Sequence, residues 1–333
     1  MSDNIREIVV ADIGGTHARF AIATIGGDEP IKLGQIVTLK CSNFASLQTA
    51  WHSFGEQIGR ELPRAAAIAL ATPIKGDVLK MTNNPWVIRP ALVKEKLDVD
   101  QFILVNDFGA IGHAVQHVSA DDLTHLCGPQ KNMPGDGIVT IVGPGTGLGV
   151  SMLLRLGENN DYRVVETEAG HIDFAPLDSI EDFILARLRK DFTRVSVERV
   201  VSGPAIVTIY NALAALENRA VAERSDVEIW SAALDGNDEL AEAALDRFCM
   251  CLGAVAGDFA LVHGASNVVI AGGLGHRIAH KLKQSGFVER FHAKGRFKAL
   301  MENISVDIIS HPQPGLLGCA AAFQKKYPST GRK

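Results

Sequence analysis

The chain has 333 residues, a length that predicts two domains. Of these residues 47% are hydrophobic and 21% charged, which is typical of a soluble globular protein. Its formal net charge of −5, without any basic run, argues against a nucleic-acid partner, and the lack of 18 consecutive apolar residues argues against a membrane partner. The first residues do not resemble a signal peptide, and the five cysteines include no C-x-x-C pair, so we expect a reduced, cytoplasmic protein.

The first apolar runs predict a β-hairpin. Residues 6–12 and 18–25 are rich in Val and Ile, as strands are, and only five residues separate them. That spacing leaves no room for a helix, which excludes a dinucleotide-binding fold, and the P-loop pattern G-x-x-x-x-G-K-[ST] is also absent from the sequence. The pair Gly14-Gly15 is compatible with a tight turn or with a phosphate cradle, since glycine lets backbone N–H groups approach an anion closely.

A helix and two more strands follow the hairpin. Residues 46–62 predict the helix, and residues 65–70 and 101–105 are apolar runs of strand length. Asn106 and Asp107 come directly after the last strand, at its carboxyl end, where α/β proteins usually place ligand sites. The same pair could instead cap a helix that begins shortly after it.

A second glycine-rich hairpin occurs later in the chain. Residues 138–142 and 150–156 predict its strands, and the turn between them contains Gly145 and Gly147. Gly145 follows Gly14 by 131 residues, and two strand–glycine turn–strand units at that separation indicate a duplicated architecture. Two such hairpins facing each other across a cleft could hold the phosphates of a nucleotide.

The second half of the chain is mainly helical. Helices are predicted at residues 181–190, 204–220 and 239–264. The third is apolar on most of its faces, so we expect it to be buried. A short strand, SNVVI, then leads into a third glycine turn at Gly272-Gly273, which we expect to precede another helix. One glycine turn after a strand is weak support for a site, but three of them favour a shared role.

Several polar residues are candidates for a site, and most have a plain structural alternative. Glu168 and His171 lie three positions apart, a spacing compatible with metal ligands or with a solvated turn. Glu198 taken alone would be an ordinary surface residue, and Asn83 could simply shape the turn before a proline. Asp12 ends the first strand beside the glycine turn. The residues alone leave these alternatives open.

Three motifs together resemble a known superfamily. DIGGTHAR, GPGTGLG and VVIAGG are similar to the two phosphate motifs and the adenosine motif of sugar kinases, actin and hexokinases. The resemblance narrows to the bacterial glucokinase family through MTNNPW, NDFGA, ETEAGHIDFAP, VERVVSGP, GFVERFHAKGRF and PGLLG, and it covers roughly residues 6–325. Repressor-type sugar kinases are a poorer match, because their zinc-binding C-x-C-G-x-x-G-C motif is missing from the sequence. One departure is His17, which stands where many members of the glucokinase family have asparagine.

The resemblance implies an α/β fold of two ribonuclease H-like (actin-like ATPase) domains with the active site in a cleft between them. The smaller domain would comprise residues 1–116 and 313–333, and the larger one residues 117–312. A homodimer is also compatible with the family.

The resemblance further implies the activity, which is ATP-dependent phosphorylation of D-glucose at its 6-hydroxyl, the entry step of glycolysis. Asp107 would be the catalytic base, and Asp12 would hold Mg²⁺, which prefers oxygen ligands. The residues implied to bind the nucleotide are Ala11, Asp12, Ile13, Gly14, Gly15, Thr16, Gly145, Thr146, Gly147, Gly272 and Gly273. The residues implied to bind glucose are Asn83, Asn106, Asp107, Glu168, His171 and Glu198.

Two other functions remain as alternatives. One is a kinase of a different hexose, mannose or fructose, on the same fold. The other is a catalytically silent sugar sensor, which is disfavoured because Asp12, Asp107 and both glycine hairpins are all present. The phosphoryl donor is also open at this point, since a backbone cradle binds any polyphosphate.

Overall fold

The computed structural model describes residues 5–26, 29–81, 83–130, 132–157 and 161–328. The chain divides into two units, of which the first comprises Met1–Ser119, Val164–Glu166 and His311–Lys333, and the second comprises Ala120–Arg163 and Thr167–Ser310. The boundaries expected from the sequence lie at 116 and 313 instead of 119 and 311, and no sequence pattern pointed to the segment 164–166.

The described residues form fourteen strands. These are β1 (Arg6–Ile13), β2 (His17–Ile25), β3 (Lys32–Leu33), β4 (Val37–Lys40), β5 (Ala65–Leu70), β6 (Leu79–Met81), β7 (Asn84–Ile88), β8 (Gln101–Asn106), β9 (Leu123–Cys127), β10 (Asp136–Pro144), β11 (Leu148–Leu156), β12 (Tyr162–Thr167), β13 (Asn267–Ile270) and β14 (Ser305–Ile309).

The same residues form twelve α-helices, besides short 3₁₀ turns. These are α1 (Leu47–Ile58), α2 (Val93–Leu97), α3 (Asp107–His117), α4 (Ser179–Leu188), α5 (Ala205–Leu216), α6 (Asp226–Asp235), α7 (Glu239–His263), α8 (Gly272–Arg277), α9 (Ala279–Leu282), α10 (Phe287–His292), α11 (Lys298–Met301) and α12 (Pro314–Lys326). Over the described ranges, none of these helices combines the length and the apolar character that crossing a membrane requires.

The first unit is built on a sheet with the strand order β3-β2-β1-β5-β8, in which β4 also pairs with β2. β1 runs antiparallel to β2, as the five-residue spacing predicted, and it runs parallel to β5. β5 in turn runs parallel to β8, so the carboxyl ends of β1, β5 and β8 lie at the same edge. A separate two-stranded hairpin is formed by β6 and β7.

Both faces of this sheet are covered, which explains why β1 is an unbroken apolar run. Val9 packs into one core with Trp51 of α1, whereas its neighbours Ile8 and Val10 pack into a second core with Phe323 of α12. Successive residues of a strand point to opposite faces of the sheet. A strand that borders a core on each face must therefore be apolar at successive positions. Helix α12, near the end of the chain, therefore completes the core on one face of β1, near its start.

The second unit repeats this topology. Its sheet has the order β12-β11-β10-β13-β14-β9. β10 is antiparallel to β11 and parallel to β13, β13 is parallel to β14, and β9 closes the edge antiparallel to β14. The antiparallel hairpin β10–β11 thus occupies the place that β1–β2 has in the first unit, as the duplicated glycine hairpins predicted.

The 25-residue helix α7 forms the centre of the second core, and its predicted burial is confirmed. Asp238 caps its first turn through hydrogen bonds to two backbone N–H groups, and Gly264 ends it in the left-handed conformation with φ of 65°. Its one buried cation, Arg247, lies 3.0 Å from the buried carboxylate of Glu181, which Arg290 also contacts at 3.1 Å. Each charge in this core is therefore paired, as buried charges must be.

Two helices end earlier than the sequence predicted. The helix predicted at 46–62 stops at Ile58, because Gly59 adopts φ of 69° and terminates it. The helix predicted at 204–220 stops at Leu216, and Asn218 follows with φ of 52°. Both stops are made by residues that enter the left-handed region easily, glycine and asparagine.

Candidate active site

The carboxyl ends of three parallel strands meet at one edge of the first sheet. Ile13 of β1 pairs with Leu70 of β5, and Leu70 pairs with Asn106 of β8. With about 4.8 Å between adjacent strands, the backbones of Ile13 and Asn106 are roughly 10 Å apart. Asp12 precedes Ile13 on β1, and Asp107 follows Asn106 as the first residue of α3. One sheet edge therefore brings together the first glycine turn and the Asn106-Asp107 pair.

The glycine turn between β1 and β2 is closed by its own backbone and by the following strand. The N–H of Gly14 donates to the carbonyl of His17 at 3.0 Å, and the N–H of Cys41 donates to the carbonyl of Thr16 at 2.8 Å. Among the described residues, none accepts a hydrogen bond from the N–H groups of Gly15 and Thr16. Two backbone donors are thus available to an anion.

Two residues predicted to bind nucleotide lie inside the cores. Ala11 and Ile13 are 0% exposed, because they alternate with Asp12 along β1 and point away from the edge. Their side chains support the turn from the core, and their assignment to the nucleotide stays a prediction.

Asp12 is a partly buried carboxylate at the end of β1. Its Oδ2 lies 3.4 Å from Nη1 of Arg19, and its side chain is 24% exposed. Burial raises the pKa of the Asp12 carboxyl above its ordinary value, and the positive charge of Arg19 opposes this shift. The first turn of α12 packs against the same group, since a Cβ added at Gly315 would lie 2.8 Å from Oδ2 of Asp12.

Asn106 and Asp107 form the junction between β8 and α3. The side-chain oxygen of Asn106 accepts hydrogen bonds from the N–H groups of Phe108 at 2.9 Å and Gly109 at 3.1 Å, so Asn106 is the N-cap of α3. Asp107 is the first residue of that helix. The N-cap considered at the outset is therefore Asn106, and Oδ1 of Asp107 beside it also accepts the N–H of Phe108 at 2.9 Å.

Glu166 is a residue of this region that sequence reasoning missed. Its Oε1 accepts the backbone N–H of Asn106 at 3.0 Å, and a Cβ added at Gly109 would lie 2.9 Å from its Cγ. The carboxylate thus holds the junction that carries Asp107. No local pattern could have revealed it, although Glu166 lies only two residues before the predicted sugar ligand Glu168.

Asn83 lies beside the phosphate turn, in the β6–β7 hairpin. It is exposed, and a Cβ added at Gly15 would lie 2.8 Å from the Cβ of Asn83. Its neighbour Asn84 is buried and donates from Nδ2 to the carbonyl of Gly14 at 2.9 Å. The hairpin and the turn are therefore in direct contact.

The second glycine turn lies in the second unit. The N–H of Gly145 donates to the carbonyl of Gly147 at 2.8 Å, and the N–H of Gly203 donates to the carbonyl of Gly145 at 2.7 Å. Thr146 between the two glycines is exposed. The carboxylate of Glu198 packs on this turn, since a Cβ added at Gly147 would lie 3.1 Å from its Cδ.

The three sugar-ligand candidates of the second unit converge on one strand start. Glu198 accepts the N–H of Leu148 at 2.9 Å, and a Cβ added at Gly170, between Glu168 and His171, would lie 3.2 Å from the carbonyl carbon of Leu148. The segments that carry them are also joined, because the N–H of Val197 donates to the carbonyl of Ile172 at 2.9 Å. Segments thirty positions apart in the sequence therefore lie together around the start of β11.

The third glycine pair does not form the turn that the sequence predicted. Gly272 and Gly273 are the first two residues of α8, directly after β13 and a single linking residue, Ala271. Gly272 has φ of 82°, and a Cβ there would lie 2.8 Å from the carbonyl oxygen of Pro144. Glycine is thus required by a close approach to β10 and by a left-handed backbone.

Comparisons with known proteins find relatives along nearly the whole chain. The profile of the Glucokinase family matches residues 9–326. A glucokinase from Zymomonas mobilis is 58% identical over 321 residues, which are 96% of this chain and 98% of that protein. The chain belongs to the glucokinase family.

Solved structures give the same result for the fold. A glucokinase from an Antarctic psychrotroph is 32% identical with a TM-score of 0.83, and the match covers 96% of this chain and 99% of that one. A glucokinase from Streptomyces griseus of the repressor-type family, solved in complex with glucose and AMPPNP, is 18% identical with a TM-score of 0.64, and the match covers 96% of this chain and 100% of that one. The second likeness shows the fold alone. The predicted fold, α/β with two domains of the actin-like ATPase type, is confirmed.

The activity follows from the family. The chain transfers a phosphoryl group from ATP to the 6-hydroxyl of glucose, as the resemblance implied. This activity is favoured over a kinase of another hexose and over a silent sensor, because the match to the Zymomonas mobilis glucokinase covers 98% of that protein at 58% identity.

Proposed function

We propose that Asp107 is the general base of this glucokinase and that the turn Gly14–Thr16 holds phosphates of ATP. One observation carries the proposal: β1 and β8 end in register across β5, through the pairs Ile13–Leu70 and Leu70–Asn106. The base and the phosphate turn therefore lie at one edge of the sheet, roughly 10 Å apart, with space for the reacting groups between them.

The chemical step requires little covalent help from the protein. As the 6-oxygen of glucose bonds to the γ-phosphorus, its proton passes to the carboxylate of Asp107, and the bond between the γ-phosphorus and the leaving oxygen of ADP breaks. Asn106 positions the base, because its side chain caps α3 and fixes the backbone of Asp107. The N–H groups of Gly15 and Thr16 donate to phosphate oxygens, which carry the negative charge of the transition state.

Asp12 fits the role of holding Mg²⁺. Its carboxylate is partly buried, and a single arginine contact at 3.4 Å offsets the burial only in part, so the site favours an added positive charge. Mg²⁺ prefers oxygen ligands and keeps several waters, so one carboxylate together with phosphate oxygens suffices. When bound, the ion neutralises charge on the phosphates.

Glucose recognition is assigned to Asn83, Asn106, Glu168, His171 and Glu198. Carboxylates suit a sugar because their two oxygens accept from neighbouring hydroxyls. The common position of Glu168, His171 and Glu198 around the start of β11 supports a shared ligand. The second glycine turn, at Gly145, Thr146 and Gly147, and the close approach at Gly272 and Gly273 are assigned to the nucleotide.

A coupled assay with a panel of sugars and donors tests the proposal. Glucose, mannose and fructose are each combined with ATP, GTP or polyphosphate, and kcat/KM is measured for every pair. We expect glucose with ATP to give the highest value. A preference for mannose or fructose would identify a different hexose kinase, and tight sugar binding without turnover would identify a sensor.

We also infer a homodimer, on the basis of the family alone. Sedimentation velocity of the full chain at micromolar concentration measures its mass in solution. A single species of one-chain mass would contradict this inference and would leave the assignment of the active site untouched.

A further inference from the structure

We propose that Asn84 is a positioning residue for the phosphate turn and sets the direction in which the N–H of Gly15 points. The inference rests on the proposed role of that turn in binding ATP. It adds a residue from a different hairpin, seventy positions away in the sequence, to the machinery that selects and orients the nucleotide.

The side-chain amide of Asn84 is oriented without ambiguity. Its Oδ1 accepts the backbone N–H of Trp86 at 2.9 Å, so its Nδ2 is the atom that faces the carbonyl of Gly14, also at 2.9 Å. Asn84 is only 6% exposed, so water cannot readily replace it. Because both Oδ1 and Nδ2 of this buried side chain are hydrogen-bonded, it holds the Gly14 carbonyl in a fixed position.

The bond to the Gly14 carbonyl has a geometric consequence for the next residue. No described peptide bond is cis, and in a trans peptide the C=O of one residue and the N–H of the next point in opposite directions. When Asn84 holds the carbonyl of Gly14 towards the β6–β7 hairpin, the N–H of Gly15 must therefore point away from that hairpin. This is one of the two N–H groups that have no acceptor among the described residues.

Glycine is the least restricted residue, and the backbone bonds that close the turn leave the carbonyl of Gly14 to Asn84 at 2.9 Å and to the Sγ of Cys41 at 3.8 Å. Asn84 holds that peptide before the nucleotide arrives, and preorganised donors bind an anion more tightly than mobile ones. The hairpin that carries Asn84 is itself anchored, since Nε1 of Trp86 donates to the carbonyl of Phe44 at 2.9 Å. Asn83 touches Gly15 from the same hairpin, so the sugar candidate and the phosphate turn share one support.

The substitution Asn84→Asp tests the inference with almost no change of shape. An aspartate still accepts the N–H of Trp86, but it presents an acceptor to the carbonyl of Gly14, so the hydrogen bond is lost and the peptide is released. The KM for ATP and the Kd for ADP measured by calorimetry without Mg²⁺ are expected to rise about tenfold. The kcat at saturating ATP and the Kd for glucose are expected to change less than about threefold.

Trp86→Phe is the matched control in the same hairpin. It removes the bond to Phe44 and loosens the hairpin, while the Asn84–Gly14 contact is left in place. We expect a lower melting temperature and a much smaller rise in the KM for ATP than Asn84→Asp gives. If Trp86→Phe raised the KM for ATP as much as Asn84→Asp does, a general loosening would explain both and the inference would be wrong.

Asn84→Ala covers the case in which the aspartate variant does not fold. It lacks the donor without burying a charge, and it carries the same expectation for ATP and ADP. A folded variant of either kind with KM for ATP within twofold of the wild type would overturn the inference. Failure of the wild-type chain to phosphorylate glucose would instead contradict the proposed function, so the two failures are distinguishable.

Discussion

At the scale of single residues, a substitution of Asp107, the proposed base, can separate glucose binding from catalysis. Asparagine has nearly the same shape and can still hydrogen-bond a hydroxyl, but it cannot take up the proton. Asp107→Asn should lower kcat by about 10²–10⁴ and leave the Kd for glucose within a few-fold. Steady-state kinetics together with tryptophan fluorescence titration of glucose measure both quantities. Turnover at the wild-type rate would assign the base to another residue.

Asp12 gives a second test at this scale, directed at the metal. Without the carboxylate, Mg²⁺ loses its one proposed protein ligand, whereas the sugar ligands are untouched. Asp12→Ala should therefore bind glucose normally and be nearly inactive, and Asp12→Asn serves as the control of equal shape. The Mg²⁺ dependence of ATP binding, followed by calorimetry, is the second readout. Full wild-type activity in excess EDTA would contradict the role of the metal.

Glu166 and Gly109 form a pair whose contact can be measured by a double-mutant cycle. A Cβ at position 109 would overlap the Glu166 carboxylate, so Gly109→Ala alone should lower the free energy of unfolding by about 1–3 kcal/mol. With Glu166→Ala already present the obstacle is gone, and the same change should stabilise α3 by up to about 1 kcal/mol, since alanine favours helix. Chemical denaturation of the four variants gives the coupling. Additive effects would show that the two side chains do not meet.

At the scale of elements, α3 and α12 approach each other more closely than most side chains would permit. A Cβ at Gly318 of α12 would lie 2.5 Å from the carbonyl carbon of Ala110 of α3. These helices also begin at the active-site edge, α3 with Asp107 and α12 with Gly315 against Asp12. The spacing of the two helices therefore sets the positions of Asp107, the proposed base, and of Asp12, the proposed metal ligand, together.

Gly318→Ala tests this dependence. Because the helices must separate to admit a methyl group, the free energy of unfolding should fall by about 1–3 kcal/mol or more, and kcat/KM should fall with it. Gly135→Ala is the control, since a Cβ at that exposed position meets nothing within 4 Å. Thermal melts and steady-state kinetics of both variants provide the measurement. A Gly318→Ala protein with wild-type melting temperature would contradict the close approach.

Helices and strands that follow from a pattern of neighbouring residues could be predicted from the sequence. Contacts between residues far apart in the sequence could not. The hairpin β1–β2 follows from two apolar runs five residues apart, and the burial of α7 follows from its apolar faces. Gly272 was misassigned as a turn because the reason for that glycine is the carbonyl of Pro144, far away in the sequence. The bond from Asn84 to Gly14 likewise joins residues seventy positions apart, and no periodicity encodes it.

At the scale of the whole molecule, acid should weaken the fold through a buried histidine. Burial lowers the pKa of His113 on α3 to about 4, and the positive charges of His117 and Lys325 act in the same direction. The unfolded chain takes up this proton near pH 6.5 and the folded chain only near pH 4, so stability present above pH 6.5 is lost as the pH falls through that window.

His113→Gln should remove that part of the pH dependence. Its melting temperature should fall less than that of the wild type between pH 6.5 and 4. At the acid end the two proteins should differ by about 1–3 kcal/mol in the pH-dependent part of the free energy of unfolding. His52→Gln is the control, because the side chain of His52 is exposed. Thermal melts at half-unit pH steps show the effect. Identical profiles for His113→Gln and the wild type would show that His113 does not titrate on unfolding.

The place of α12 in the first core has a consequence for biosynthesis. The face of β1 that carries Ile8 and Val10 is covered by a helix that begins at Pro314, so it lacks this cover while about three hundred intervening residues are translated. At about 5–20 residues per second this interval lasts roughly 15–60 s. Throughout that time a nascent chain presents an apolar sheet face to its surroundings, where chaperone binding competes with aggregation. Ribosome-bound chains released before and after residue 326 should therefore differ sharply in resistance to protease.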